Sequence, residues 1–308
     1  MSTIPSLRFP DQLPTLKSMC LTGQILIGYD PGIWQIQYES NRYLARLPEA
    51  ILTRRHHDIL FNMTMLTGRE RHVIPINSLM SSWYWFRKEH QTRLEFALRG
   101  IELPVEVPLD VPFCNMHTGE PVRPMHVDEG DAIFKYGKRI DIEGIVRHGA
   151  IRLSPASTLS GNGSHDMAHD ACSIPTSGDM SELTASRDYY VFCAASDWDP
   201  KLFASFDAAD ACLKIKNVKE FGRRLESAAA TELTGWRFFH GPVHYFDPYE
   251  RAGFEYIQAG ISRHFRFAWQ REYRFLWMPP VDQPTRGYLN LTMGDANELM
   301  ELHVNRDK

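Results

Sequence analysis

The residues best placed to do chemistry lie near the C-terminal end, in WQREYRFLW (269–277). In a strand, successive side chains point to opposite faces. Trp269, Tyr273, Phe275 and Trp277 then share one face, interrupted by Arg271, and Gln270, Glu272 and Arg274 share the other. A carboxylate with an amide two residues before it suits a reaction that builds positive charge. Glu272 would stabilise the cation and hold a sugar hydroxyl, while Gln270 would orient a nucleophile. The plain alternative is a strand with one wet face and a cross-strand Glu–Arg pair, and spacing alone does not decide between them.

Two further groups carry chemical potential. FKYG (134–137) and GAIRLSPAS (149–157) place Gly137 after a strand, where backbone can approach a ligand, and Arg152 in a strand that runs into Ser154 and Ser157. Such a set could hold phosphates, and it reads equally as an exposed strand arginine followed by a turn. In SHDMAHDAC (164–172), His165 and His169 are four apart, which on a helix would put two metal ligands on one face. Gly-rich and Pro-containing flanks oppose a helix there, and Asp166 stands where a zinc protease carries glutamate. Histidines and aspartates in such a loop are usually solvated.

GxSxG, GxGxxG and the phosphate-binding P-loop pattern are all missing from the sequence. Basic residues concentrate in LTRRHHD (52–58), FRKEHQTR (86–93) and RHFRFAWQREYR (263–274). The last interleaves cations with aromatics, a pattern suited to stacking on single-stranded nucleic acid, and equally to a basic helix face followed by a core strand.

These residues need elements to position them. The stretches 23–30 and 33–40 read as strands joined by a Pro31-Gly32 turn, and 78–101 as a helix with Trp85, Leu94 and Leu98 on one side and Gly100 at its end. Five prolines between Pro104 and Pro124 block regular structure and place a domain boundary near residue 128. Beyond it, the pattern gives strands at 132–137, 150–157, 189–196, 211–217, 236–247, 269–277 and 287–293. Helices fall at 139–149, 218–233 and 251–267, the last with Phe254, Ile257, Ile261 and Phe265 on one face. Strands with irregularly inserted helices predict an α+β fold. At 308 residues, 43% hydrophobic and net charge −4, the chain has ordinary globular composition. No apolar run reaches the roughly 18 residues of a membrane span. Five scattered cysteines without a CxxC pair suit a reducing, cytoplasmic setting and no zinc ribbon.

Residues 131–295 resemble the ADP-ribosyltransferase-like domains in FKYG…IEGIVRHGAIRLSPAS. They also resemble a poorly characterised bacterial family found near phage-defence genes, through Lys135-Tyr136, the loop with Asp166 and Asp170, Cys193 to Ser196, and Trp269 with Glu272-Tyr273-Arg274. The resemblance implies a split β-sheet catalytic domain over 129–308, preceded by an N-terminal mixed α/β accessory or target-recognition region over 1–128. It implies NAD as co-substrate and no metal. Glu272 would match the catalytic glutamate and Gln270 the first member of a QxE pattern. Tyr136 stands where many members carry histidine. Lys135, Gly137, Arg152, Ser154 and Ser157 would bind NAD. No Ser-Thr-Ser triplet is present, and Tyr189 or Tyr190 would supply the mid-domain tyrosine.

The expectation is a cytoplasmic ADP-ribosyltransferase, a bacterial toxin or antiviral defence effector. Its acceptor would be a protein or a nucleic acid (RNA or DNA), with a neutralising antitoxin as a further partner and no membrane. Two rivals stand beside it. One is a metal-dependent nuclease or hydrolase built on His165, Asp166, His169 and Asp170; the other is a non-catalytic nucleic-acid-binding module using 263–274.

Overall fold

The computed structural model describes residues 31–66, 84–103, 132–160, 172–176, 179–183, 188–206, 209–250, 260–280 and 283–305. The chain is α+β and forms two compact units. Unit 1 comprises 1–125 together with 249–254 and 265–269; unit 2 comprises 126–248, 255–264 and 270–308. The loop carrying His165, Asp166, His169 and Asp170 lies outside the described residues. Among those that are described, no helix is long and apolar enough to cross a membrane.

Unit 1 contains helices α1 (Pro31–Asn41), α2 (Glu49–Met65) and α3 (Tyr84–Arg99). The strand expected at 33–40 is a helix. Pro31 occupies the first helical position, where its fixed φ and missing N–H are tolerated. Trp34 and Tyr38, four apart, are buried, while Ile36 is exposed. The apolar alternation of IWQIQYES is thus incidental to a helical period. Helix α3 ends at Gly100 (φ +67°), with the Ile101 amide donating to the Phe96 carbonyl. Trp85 and Leu94 are buried as expected, but Leu98 is exposed.

Unit 2 is built around one large sheet. Its strands run β1 (Ile133–Gly137), β2 (Ala150–Pro155), β5 (Tyr190–Ala195), β6 (Ala211–Ile215), β7 (Arg237–Pro242), β10 (Glu272–Met278), β11 (Leu289–Thr292) and β12 (Met300–Val304). Two short pairs complete the strands: β3 (Cys172–Thr176) with β4 (Asp179–Leu183), and β8 (His244–Phe246) parallel to β9 (Ser262–His264). Helices are α4 (Arg139–His148), α5 (Lys201–Ser205) and α6 (Val218–Ala229).

Strand β5 is the branch point. One edge pairs along its length with β10, which continues to β7. The other edge is shared: Tyr190 and Val191 pair with β2, which leads to β11, and Ala195 pairs with β1, which leads to β6 and β12. The sheet therefore forks, with two arms leaving the same edge of β5. One face packs on α4 and α6. Tyr190, Phe192, Leu213, Ile215, Tyr273, Phe275 and Trp277 meet Ile142, Ile145, Phe221 and Leu225 there in a single apolar core. Gly149 closes α4 at φ +60°, and a Cβ there would lie 2.3 Å from the Gly294 carbonyl oxygen, so only glycine fits.

Of the helix expected over 251–267, residues 251–259 lie outside the described residues, and 260–267 are not α-helical. Gly260 has φ +92°, residues 262–264 are a strand and 265–270 a 3-10 turn. The strand expected from Trp269 begins only at Glu272, because Arg271 takes φ +48°, a left-handed conformation unusual for a side chain of that size.

Candidate active site

Register settles which face each candidate occupies. Glu272 opposes Ala195, which opposes Phe134, and side chains alternate along each strand. Glu272, Arg274, Cys193, Tyr136, Arg152 and Ser154 therefore share the face turned away from α4 and α6. That face is not wet at β10: Glu272 is 6% exposed and Arg274 4%.

The Glu272 carboxylate lies between two guanidinium groups. Arg263, from β9, donates through Nη1 to Oε1. Arg274, two residues along the same strand, donates through Nε to Oε2 at 2.7 Å. The same Arg263 Nη1 donates to Gln270 Oε1 at 2.6 Å, so one guanidinium joins Gln270 and Glu272. Arg274 is fixed in turn, since its Nη1 donates to the Gly260 carbonyl at 2.8 Å. The positive φ at Gly260 lets that carbonyl turn toward the strand. The Glu272 amide donates to the Tyr245 hydroxyl at 2.9 Å.

Arg271 precedes this cluster and is also buried. Its Nη2 meets Asp199 Oδ2 at 3.1 Å, while Nε and Nη1 have no hydrogen-bond partner among the described residues. Its carbonyl accepts from both the amide and the hydroxyl of Ser196, at 2.7 and 2.6 Å. Left-handed backbone at a non-glycine residue costs roughly 1–3 kcal/mol and persists where its surroundings over-determine it. The Asp199 amide donates to the Tyr136 hydroxyl at 2.8 Å. Tyr136 thus connects to Glu272 through Asp199 and Arg271. Burial pushes the Tyr136 phenol above its ordinary range, and its ring packs against Phe203, Phe206 and Trp198.

The remaining candidates lie elsewhere. Lys135 points to the opposite face, into the fork, where Nζ donates to the Cys193 carbonyl at 3.1 Å and sits 4.6 Å from the Phe192 ring centre. Burial pushes its ammonium below the ordinary lysine value. The Gly137 carbonyl accepts from the Asp210 amide, and a Cβ at 137 would meet only the Ile142 side chain at ordinary contact distance. Nothing in its surroundings demands glycine. Arg152 is exposed and stacks on Tyr288, 4.7 Å from the ring centre. Ser154 sits where β2 meets β5. Ser157 donates through both its amide and its hydroxyl to Asp188, which also accepts from Thr285. Burial works to raise the Asp188 carboxyl, but the bonds from Ser157 and Thr285 outweigh it and hold it below its ordinary value. Among the described residues, no hydrogen bond joins Arg152, Ser154 or Ser157 to Glu272.

Sequence reasoning missed Arg263, Tyr245 and the Arg271–Asp199 pair. The signal for Arg263 was its place in RHFRFAWQREYR, whose basic-aromatic pattern fits either a nucleic-acid surface or a basic helix face followed by a core strand. Arg263, Arg271 and Arg274 are instead 1–4% exposed and face carboxylates, while Arg266 is half-buried over the Phe267 ring. The comparisons with known proteins add no guide: neither a family model, a curated protein nor a solved structure matches the chain.

Proposed function

We propose that unit 2 is an ADP-ribosyltransferase that uses NAD as co-substrate. The observation that carries the reading is the placement of Glu272. It is a buried carboxylate at the start of a strand bordering a forked sheet, tied to Gln270 through Arg263, on the face that also holds Tyr136, Arg152 and Ser154. The fork, with two arms on one edge of β5, suits the split sheet of such domains.

The fit to NAD is uneven. Arg152 is an exposed guanidinium beside an aromatic ring, and with Ser154 it would hold phosphates. Lys135 faces the other way, and Ser157 is bound to Asp188, so neither is placed for that role. In the reaction, the bond between the ribose anomeric carbon and nicotinamide breaks. Nicotinamide leaves with the electron pair, and the acceptor's nucleophile forms the new bond and gives up its proton. Glu272 stabilises the cationic ribose and holds a ribose hydroxyl, and Gln270 orients the acceptor. The acceptor in this proposal is a protein or a nucleic acid, and the proposed role is that of a toxin or defence effector with a neutralising partner.

The test is incubation of the purified chain with labelled NAD and total cellular RNA, DNA and protein. Nicotinamide release and label transfer are expected, and Glu272→Gln abolishes both. Absence of nicotinamide release from the wild-type chain and from Arg263→Gln alike overturns the reading.

A further inference from the structure

Arg263 touches both members of the pair that the reaction needs. Its Nη1 lies on Gln270 Oε1 at 2.6 Å and on Glu272 Oε1, and the side chain is 1% exposed. A carboxylate and an amide that together face a cation form the environment where a cationic ribose would develop. In this structure, that environment is filled by a cation of the protein itself. Arg274 already engages the other Glu272 oxygen and is anchored to the Gly260 carbonyl. Glu272 therefore keeps an ionic partner if Arg263 withdraws.

We propose that Arg263 is an internal plug, and that the structure is the resting, closed state of the Glu272 site. The proposal rests on the reading of Glu272 given above and adds its regulation. The elements around Arg263 suit movement. Strand β9 has three residues and pairs only with the equally short β8 among the described residues. It follows Gly260, whose φ of +92° marks a sharp bend. The chain between Arg263 and Gln270 runs through Phe265–Trp269, which belongs to unit 1. Phe265 is buried, and the Trp269 amide donates to Asn62 Oδ1 at 2.8 Å. The two partners of the plug contact therefore lie on either side of Phe265–Trp269 along the chain.

The experiment compares nicotinamide release from labelled NAD by the wild-type chain, Arg263→Gln, Glu272→Gln and the double variant Arg263→Gln with Glu272→Gln. Melting curves are taken for each. A plug predicts that Arg263→Gln releases nicotinamide several-fold faster than wild type, and that adding Glu272→Gln removes the gain. Release by wild type that Arg263→Gln leaves equal or lower, in a variant that melts as wild type does, overturns the plug while leaving the reading of Glu272 intact. No release by either chain overturns the reading itself. If Arg263→Gln melts below the assay temperature, Arg263→Lys replaces it. Lysine keeps a cation near Glu272 but loses the planar fork. Faster release than wild type supports the plug, and equal or slower release overturns it.

Discussion

Helices α6 and α3 are buried by opposite means. In unit 2, α6 buries Val218, Phe221, Leu225 and Ala229, spaced three and four apart, against the sheet. In unit 1, α3 buries Lys88, Glu89, His90, Gln91, Thr92 and Glu95 along with Trp85, Leu94 and Phe96. The first helix is stabilised by area removed from water. Burial in the second is favourable only where each polar group finds a partner. Lys88 meets Glu250 at 2.5 Å, and Glu95 accepts from the Tyr38 hydroxyl at 2.5 Å, from Arg42 at 3.0 Å and from Arg99 at 2.7 Å. Burial works to raise the Glu95 carboxyl, but the bonds from Tyr38, Arg99 and Arg42 outweigh it and hold it below its ordinary value.

The largest effect expected from this contrast is on the apolar side. Phe221 is fully buried among Phe192, Phe275 and Leu225. Phe221→Ala is expected to cost unit 2 about 3–5 kcal/mol, as for other aromatic-to-alanine cavities. Glu95→Ala is expected to cost unit 1 about 3 kcal/mol, the low end for breaking a buried pair, because Arg42 is 42% exposed. Hydrogen exchange under urea, read separately in α6 and α3, measures both. A loss at Glu95 no larger than that of a surface pair would break the comparison, since the polar helix would then be held by its apolar residues alone.

Proton linkage separates the units again. His56, on α2, is fully buried beside Phe96, and neither ring nitrogen has a hydrogen-bond partner among the described residues. Burial, aided by the positive charge of Arg93, lowers its pKa to about 4. A histidine depressed in the folded state stabilises it fully above the unfolded value near 6.5. That contribution is lost as pH falls from there to about 4. The loss is expected to reach about 3 kcal/mol, at about 1.36 kcal/mol per pH unit. His90, also lowered by burial, acts in the same sense; Glu89, raised by burial, acts in the opposite sense as pH rises above the ordinary glutamate range. His56→Leu should flatten the acid limb of unit 1 stability between pH 6.5 and 4. An unchanged slope in that variant assigns the acid sensitivity to other groups.

The same contrast explains what the sequence could reveal. Unit 2 was readable where apolar residues recur with a strand or helix period: 133–137, 139–148, 190–195, 211–215 and 218–229 fall where expected. In unit 1, α1 was misread because Trp34, Ile36 and Tyr38 mimic strand alternation, while the contacts that decide the matter lie far along the chain, as between Tyr38 and Glu95. At the candidate site, the shared parity of Glu272 and Arg274 was legible, and they do contact each other. Gln270 was placed on that strand, yet the left-handed Arg271 ends the strand before it. Buried arginines are the least legible feature. Local pattern assigns a cation to solvent, and only the fold brings Arg263 to Glu272 and Arg271 to Asp199.

The smallest expected effect tests how locally α6 is specified. Asn217 has extended backbone, and its side-chain oxygen accepts from the Glu220 amide at 3.0 Å, satisfying one of the helix's free N-terminal donors. Glu220 in turn pairs with Arg223 and Arg224, which draw its carboxyl down to about 2. These signals are encoded within eight residues, independent of the sheet. Asn217→Ala is expected to cost about 1 kcal/mol, and Asn217→Asp, which keeps an acceptor at the cap, much less. Amide exchange at the first turn of α6 should rise in the alanine variant, with α3 unchanged. If instead the loss spreads through unit 2 at the scale of Phe221→Ala, α6 depends on its cap for docking. The division between a helix specified by local signals and one specified by distant partners would then be lost.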